Sequence, residues 1–276
     1  MKTKAARRKA VERLLEEGLF QSREEALPYF LSGQVFLGQE RISSPAQLVP
    51  ADKPLVVRGR EQKYVAKGGL KLEGALRDFQ ISAQGRVCID AGACTGGFTD
   101  CLVKSGAALV YAVEVGFGQL AGSLRQNPRV VNLEKTNISD ERLAALSPRP
   151  NLASVDLSYL SLRKAVPVFA KIMEGQGELV CLVKPLFEVQ DAMARRTGVL
   201  SNDAYLPLLT GLMDDLNGLP SVRVLNITNS PVTGNQGTLE FFLHIALGVD
   251  APAINLTAAA DTAVQRVLKL DSYKKA

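Results

Sequence analysis

From Val87 onward the chain alternates short apolar runs with helical patterns, and this alternation limits the possible fold more than any other feature. The apolar runs are VCID, ALVYAVEV, VVNLE, ASVDL, GELVCLVKP, VRVLNIT and TLEFFLHIAL. Between them lie FTDCLVKSG, SLRKAVPVFAKIM and DAYLPLLTGLMDDL, whose apolar residues recur at helical spacing. Strands that are nearly all apolar are buried on both faces, so the pattern predicts a mainly parallel sheet covered by helices. The last two runs are joined by SPVTGNQG, which leaves no room for a crossover helix. Those two strands should pair antiparallel. The expected class is α/β, with residues 69–250 as the main domain.

The first sixty residues follow a different pattern. RKAVERLLEEGL places Val11, Leu14, Leu15 and Leu19 on one helical face, with Gly18 as a stop. Ser22 and Glu25 form a capping-box pattern that opens SREEALPYFLSG, which ends at Gly33. Short extended pieces, QVFLG and PLVVRG, follow. Residues 1–60 are therefore expected to form a small α+β domain, residues 61–68 a linker, and residues 251–276 a tail carrying one amphipathic helix, TAVQRVLKL. The net charge of +5 is uneven. Residues 1–63 hold 12 Lys and Arg against 8 Asp and Glu, with Lys2, Lys4, Arg7, Arg8 and Lys9 at the very start. A basic module beside a nearly neutral domain suits a polyanionic partner, nucleic acid first.

Several function classes are excluded early. With His244 as its one histidine, the chain cannot carry a two-histidine zinc motif, and no metal site is expected. No apolar stretch reaches membrane-spanning length and no signal peptide is evident. Cys88, Cys94, Cys101 and Cys181 form no C-x-x-C pair and read as free thiols in a cytoplasmic protein.

The strongest local signal is Asp90-Ala91-Gly92-Ala93-Cys94-Thr95-Gly96-Gly97-Phe98-Thr99, which leaves an apolar strand and opens a helix. It fits neither the dinucleotide fingerprint nor a phosphate-binding loop. A carboxylate beside a glycine turn suits a cofactor with an ammonium group and no phosphates, an adenosyl amino acid. Glu114 lies 22 residues after Gly92 at the next strand end, where an acid can bind both ribose hydroxyls. Candidate cofactor residues are Asp90, Gly92, Ala93, Gly96, Gly97, Phe98, Thr99 and Glu114. Asp156 and Lys184 end two further strands and should be neighbours, Glu240 lies on the last strand, and Lys71 sits in a helix before the first. The set lacks the Pro-Pro strand end of amino methylases and a Cys-Pro nucleophile. It suits deprotonation of a hydroxyl, and Cys181 reads as core.

Together GLFQSREEA, KGGLKLEGAL, DAGACTGGFTDCL, YAVEVGFGQL, VDLSYLSL, LVKPLFE and GTLEFFLH resemble the TlyA family, ribosomal RNA 2′-O-methyltransferases that also carry a haemolysin name. The resemblance covers roughly residues 8–246. It implies an RNA-binding domain of the kind named after ribosomal protein S-four, joined to a Rossmann-like, FtsJ-like domain using S-adenosylmethionine. It further implies cytidine as the methylated nucleotide, ribosomal subunits as partners, and Lys71, Asp156, Lys184 and Glu240 as the catalytic set; the sequence does not fix the oligomeric state, and a monomer is the expectation. The chain departs from the family at Ala10-Val11-Glu12-Arg13-Leu14, at Glu114 in place of the common Asp, at Gly237-Thr238 and in VFLGQERIS. Competing expectations are a ribosome-assembly protein with an inactive methylase domain, a pore-forming haemolysin, and a nicotinamide dehydrogenase.

Overall fold

The computed structural model describes residues 7–270 except 18, 21, 52, 60–62, 190–191, 198–199, 235–237 and 251. Lys2, Lys4, Gly18 and Gly237 therefore lie outside the described residues.

The N-terminal part runs β1 (Arg7–Lys9), α1 (Ala10–Glu16), α2 (Arg23–Leu31), β2 (Val35–Leu37), β3 (Glu40–Arg41), β4 (Leu48–Pro50) and β5 (Leu55–Val57). The apolar face expected on α1 is real. Val11, Leu14, Leu15 and Leu19 are buried with Phe20, Phe30, Val35 and Ile42 in a core of their own. Ser22 caps α2 by accepting from the Glu25 amide. The strands β1 and β4 were not legible in the sequence: three residues each, pairing antiparallel with each other, they have no room to show an alternating pattern.

Four of this module's basic residues are paired locally. Arg8 pairs with Glu16, Lys9 and Arg23 with Glu12, and Arg13 with Glu17. Arg13 is buried and donates to the carbonyls of Pro50 and Lys53, so it braces the end of β4 and the loop after it against α1 rather than facing a partner.

The larger part contains α3 (Gly68–Phe79), β6 (Val87–Ala91), α4 (Gly97–Lys104), β7 (Leu109–Glu114), α5 (Gly122–Arg125), β8 (Val130–Glu134), β9 (Leu152–Val155), α6 (Leu162–Ile172), β10 (Gly177–Val183), α7 (Pro185–Glu188), α8 (Ala192–Thr197), α9 (Tyr205–Asn217), β11 (Val222–Asn229), β12 (Phe241–Leu247) and α10 (Thr257–Val267). Its seven strands lie in the order β11-β12-β10-β9-β6-β7-β8. The β6, β7, β8, β9 and β10 pairings are parallel, and β12 runs antiparallel to both β10 and β11, as the short final connection required. Alternate residues feed two cores, because side chains on a strand point to opposite faces. Ile89, Ala153, Leu179, Cys181 and Phe241 face α6, α9 and α10, while Cys88, Leu152, Val180, Leu182 and Phe242 face α3 and α4.

Two boundaries differ from the sequence reading. The stretch expected to be a linker is docked: Tyr64 is buried in the α3–α4 core, and the Val65 amide donates to Asp100 in α4. The C-terminal helix is longer than the expected segment and belongs to the fold, burying Ala260, Ala263, Val264 and Val267 in the other core.

Candidate active site

The glycine turn sits at the carboxyl end of β6, at the centre of the sheet. Gly92 has φ +85°, and a Cβ there would lie 2.2 Å from the Asp156 carbonyl, so only glycine lets the turn meet the neighbouring strand end. Gly96 has φ +100° and faces Leu120 and Leu124. Gly97 starts α4 where α3 comes closest, its absent Cβ 3.0 Å from the Gly69 amide nitrogen. Asp90 is fully buried. Thr99 Oγ1 donates to one of its oxygens at 2.6 Å and Ser154 Oγ to the other at 2.9 Å. Burial pushes its pKa up to about 6 against the pull of these two bonds. Asp90 thus ties the turn to β9 and α4.

The side chains of Ala93, Phe98 and Thr99 point inward. Phe98 packs against Gly68 and Phe242, and the Thr99 hydroxyl is spent on Asp90. What these three positions offer a ligand is main chain. Glu114 ends β7, half-buried, with the Cys94 amide donating to one oxygen at 2.9 Å and the Gly116 amide to the other at 2.8 Å. Val115 and Phe117 beside it are exposed. A tight main-chain turn, an acid ending the next strand and an exposed apolar surface suitable for a planar base fit an adenosyl amino acid.

The four polar candidates form two ion pairs. Lys71, reaching from α3, lies 2.5 Å from Glu240, and both are buried. Lys184 lies 2.5 Å from Asp156 Oδ1 and donates to Ser158 Oγ at 3.2 Å. This oxygen is buried, with the Lys184 ammonium as its charged neighbour. Asp156 and Lys184 follow adjacent parallel strands, β9 and β10. Glu240 stands just before β12 rather than on it, and the Val183–Phe241 register puts it beside the Lys184 end. All four therefore gather at the edge where the glycine turn opens.

The sequence reading missed three neighbours. Tyr159 is 90% exposed, at φ +66°, with its ring 5.1 Å from that of Phe187. It sits inside the DLSY stretch, where an aromatic among small and polar loop residues was the available signal. Lys67, one turn before Lys71, donates to the Glu16 carbonyl at the end of α1. Burial, then the charge of Lys71, pulls its pKa down to about 8. Glu188 is buried beneath the Lys184 turn. Cys94 is exposed in the turn, and Cys181 is core, its thiol pushed up by burial.

The sequence profile of the FtsJ-like methyltransferases matches residues 64–247. A Mycobacterium tuberculosis protein named 16S/23S rRNA (cytidine-2′-O)-methyltransferase TlyA is 38% identical over 250 residues, covering 89% of this chain and 92% of its own. Hemolysin A of Brachyspira hyodysenteriae is 32% identical over 237 residues, covering 84% and 96%. A solved hemolysin-named structure from Streptococcus thermophilus superposes with TM-score 0.72 at 32% identity over 95% of this chain and 96% of that one. Profile, relatives and sheet order agree that the chain belongs to the FtsJ-like methyltransferase family, enzymes that draw their methyl group from S-adenosylmethionine.

Proposed function

We propose that the chain methylates a ribose 2′-oxygen of ribosomal RNA, with cytidine as the nucleotide, working in the cytoplasm. The observation that carries this reading is the pair Lys184–Asp156 at the strand edge where the glycine turn meets Asp156. The name of the Mycobacterium tuberculosis relative supports the choice of RNA and nucleotide.

The cofactor, when bound, supplies an already activated methyl group. Its holders are the main chain from Gly92 to Phe98, with Glu114 on the ribose hydroxyls and Val115 and Phe117 flanking the base. Asp90 shapes the turn. The protein's own task is to align the acceptor hydroxyl and take its proton. Lys184 accepts that proton or stabilises the developing alkoxide, and Asp156 orients it. Lys71 and Glu240 hold the α3 side of the site. Tyr159, exposed at the rim, offers a face on which an unstacked base can lie. The N-terminal module grips phosphate, so binding weakens as salt rises. No helix among the described residues is long and apolar enough to cross a membrane.

The test is methyl transfer by the full chain onto purified ribosomal subunits with radiolabelled S-adenosylmethionine. Label is expected on a ribose, as an alkali-resistant linkage 3′ to cytidine. Label on a base, or tighter binding of NAD than of the adenosyl cofactor, overturns the reading.

A further inference from the structure

Two short loops carry the Asp156–Lys184 pair away from the sheet: residues 157–161 after β9, and the turn that becomes α7 after β10. Helix α7 has four residues and cannot hold its own orientation. Tyr159 in the other loop sits at φ +66°, a conformation that persists only where its surroundings enforce it. Something must fix both loops, and Glu188 is placed to do so. Its side chain is 2% exposed. Oε2 accepts from Ser161 Oγ at 2.5 Å and from Arg163 Nη1 at 3.0 Å, and Oε1 accepts from the Leu162 amide at 2.8 Å. Arg163 is held in turn by Asp215 of α9. Ser161 caps α6 by accepting from the Arg163 amide, so the groups around Glu188 all present hydrogens to it. An acceptor-only carboxylate at a helix N-terminus satisfies that arrangement, and an amide does not.

We propose that Glu188 is a positioning residue for methyl transfer: it fastens the first turn of α6 to the turn after Lys184 and so sets the separation of Lys184 and Asp156. This rests on the reading of that pair as the catalytic one. None of the three groups that Glu188 binds belongs to the proposed cofactor site, so cofactor affinity should not change, and saturating RNA isolates the transfer step.

The experiment is single-turnover methylation of ribosomal subunits by the full chain at saturating cofactor and RNA. E188Q keeps the shape but turns an NH₂ toward donors. It should slow transfer about 10–100-fold, the scale of a misplacement near 1 Å, while the cofactor dissociation constant stays within about twofold of wild type. The double variant E188Q/K184A should be no slower than K184A, because separation is irrelevant once the amine is gone. S161A, which removes one donor and leaves two, is the second variant if E188Q does not fold, and should fall between wild type and E188Q. A wild-type rate in folded E188Q or S161A overturns the inference and leaves the catalytic pair standing. An E188Q loss that multiplies with that of K184A also overturns it, since Glu188 then acts elsewhere. Near wild-type turnover in K184A overturns the underlying reading instead.

Discussion

The two lysine–carboxylate pairs at the sheet edge have the same chemistry and different surroundings. Lys71 and Glu240 are sealed, with side chains 7% and 5% exposed, whereas Lys184 and Asp156 are 20% and 24% exposed. A sealed pair has given up its water and depends on its partner. An open pair can exchange its partner for a ligand. On the proposed reading the difference separates two jobs that the sequence set side by side: the open Lys184 serves the acceptor, while Lys71 with Glu240 ties α3 to the start of β12. Lys67 extends the sealed side toward α1.

The sharpest way to break this comparison is to remove the open lysine. K184A should leave the fold and cofactor affinity nearly unchanged and cut single-turnover transfer about 10²–10⁴-fold, the usual worth of general-base help. K184R should not rescue, because a guanidinium is effectively never deprotonated. If Lys184 only tied two strand ends together, K184M would lower stability and keep appreciable turnover at saturating RNA.

The sealed pair should fail in the opposite way. E240Q or K71M alone leaves a buried charge without its partner and should cost about 3–5 kcal/mol of unfolding free energy. The double variant K71M/E240L should recover much of that stability, as apolar replacements of buried pairs often do. Urea denaturation of the three variants measures this. Equal losses in single and double variants would show that packing, not charge, holds α3 there.

The fold was legible because its signals are local and repeated. Seven apolar runs and one connection too short for a helix fix strand directions, and the direction of β12 is what brings Glu240 to the edge. The four polar residues were legible as strand-end charges, and their proximity followed from strand order. Which lysine meets which carboxylate was not legible. Lys71 takes Glu240, 169 residues away, and sequence spacing holds no trace of that choice. The inward turn of Phe98 was hidden for a similar reason: α4 meets α3 at Gly97 and Gly68, and only the packed helices show that the ring fills the gap. The docked linker was hidden because Tyr64 is a lone aromatic among charged residues.

Asp90 is a buried carboxylate at the same edge that, unlike Glu240, is held by hydroxyls instead of a lysine, and so isolates what the ammonium contributes. Its pKa rises from the usual 3.8 to about 6 because burial outweighs the Thr99 and Ser154 bonds. In the unfolded chain Asp90 loses its proton near 3.8, and in the native chain only near 6. Its contribution to stability is therefore fully present below pH 3.8 and is lost as pH rises through 6. Above that, the native state carries a cost of about 3 kcal/mol relative to acid, from roughly two pKa units at 1.36 kcal/mol each. D90N cannot ionise, and its amide can donate to one hydroxyl and accept from the other. The stability of D90N relative to wild type should thus grow by about 2 kcal/mol between pH 4 and pH 7, the rest of the change lying below pH 4. The check is paired urea denaturation of both proteins across that range. A constant difference would mean that Asp90 ionises as readily folded as unfolded, so that two hydroxyls serve a buried carboxylate as well as water does.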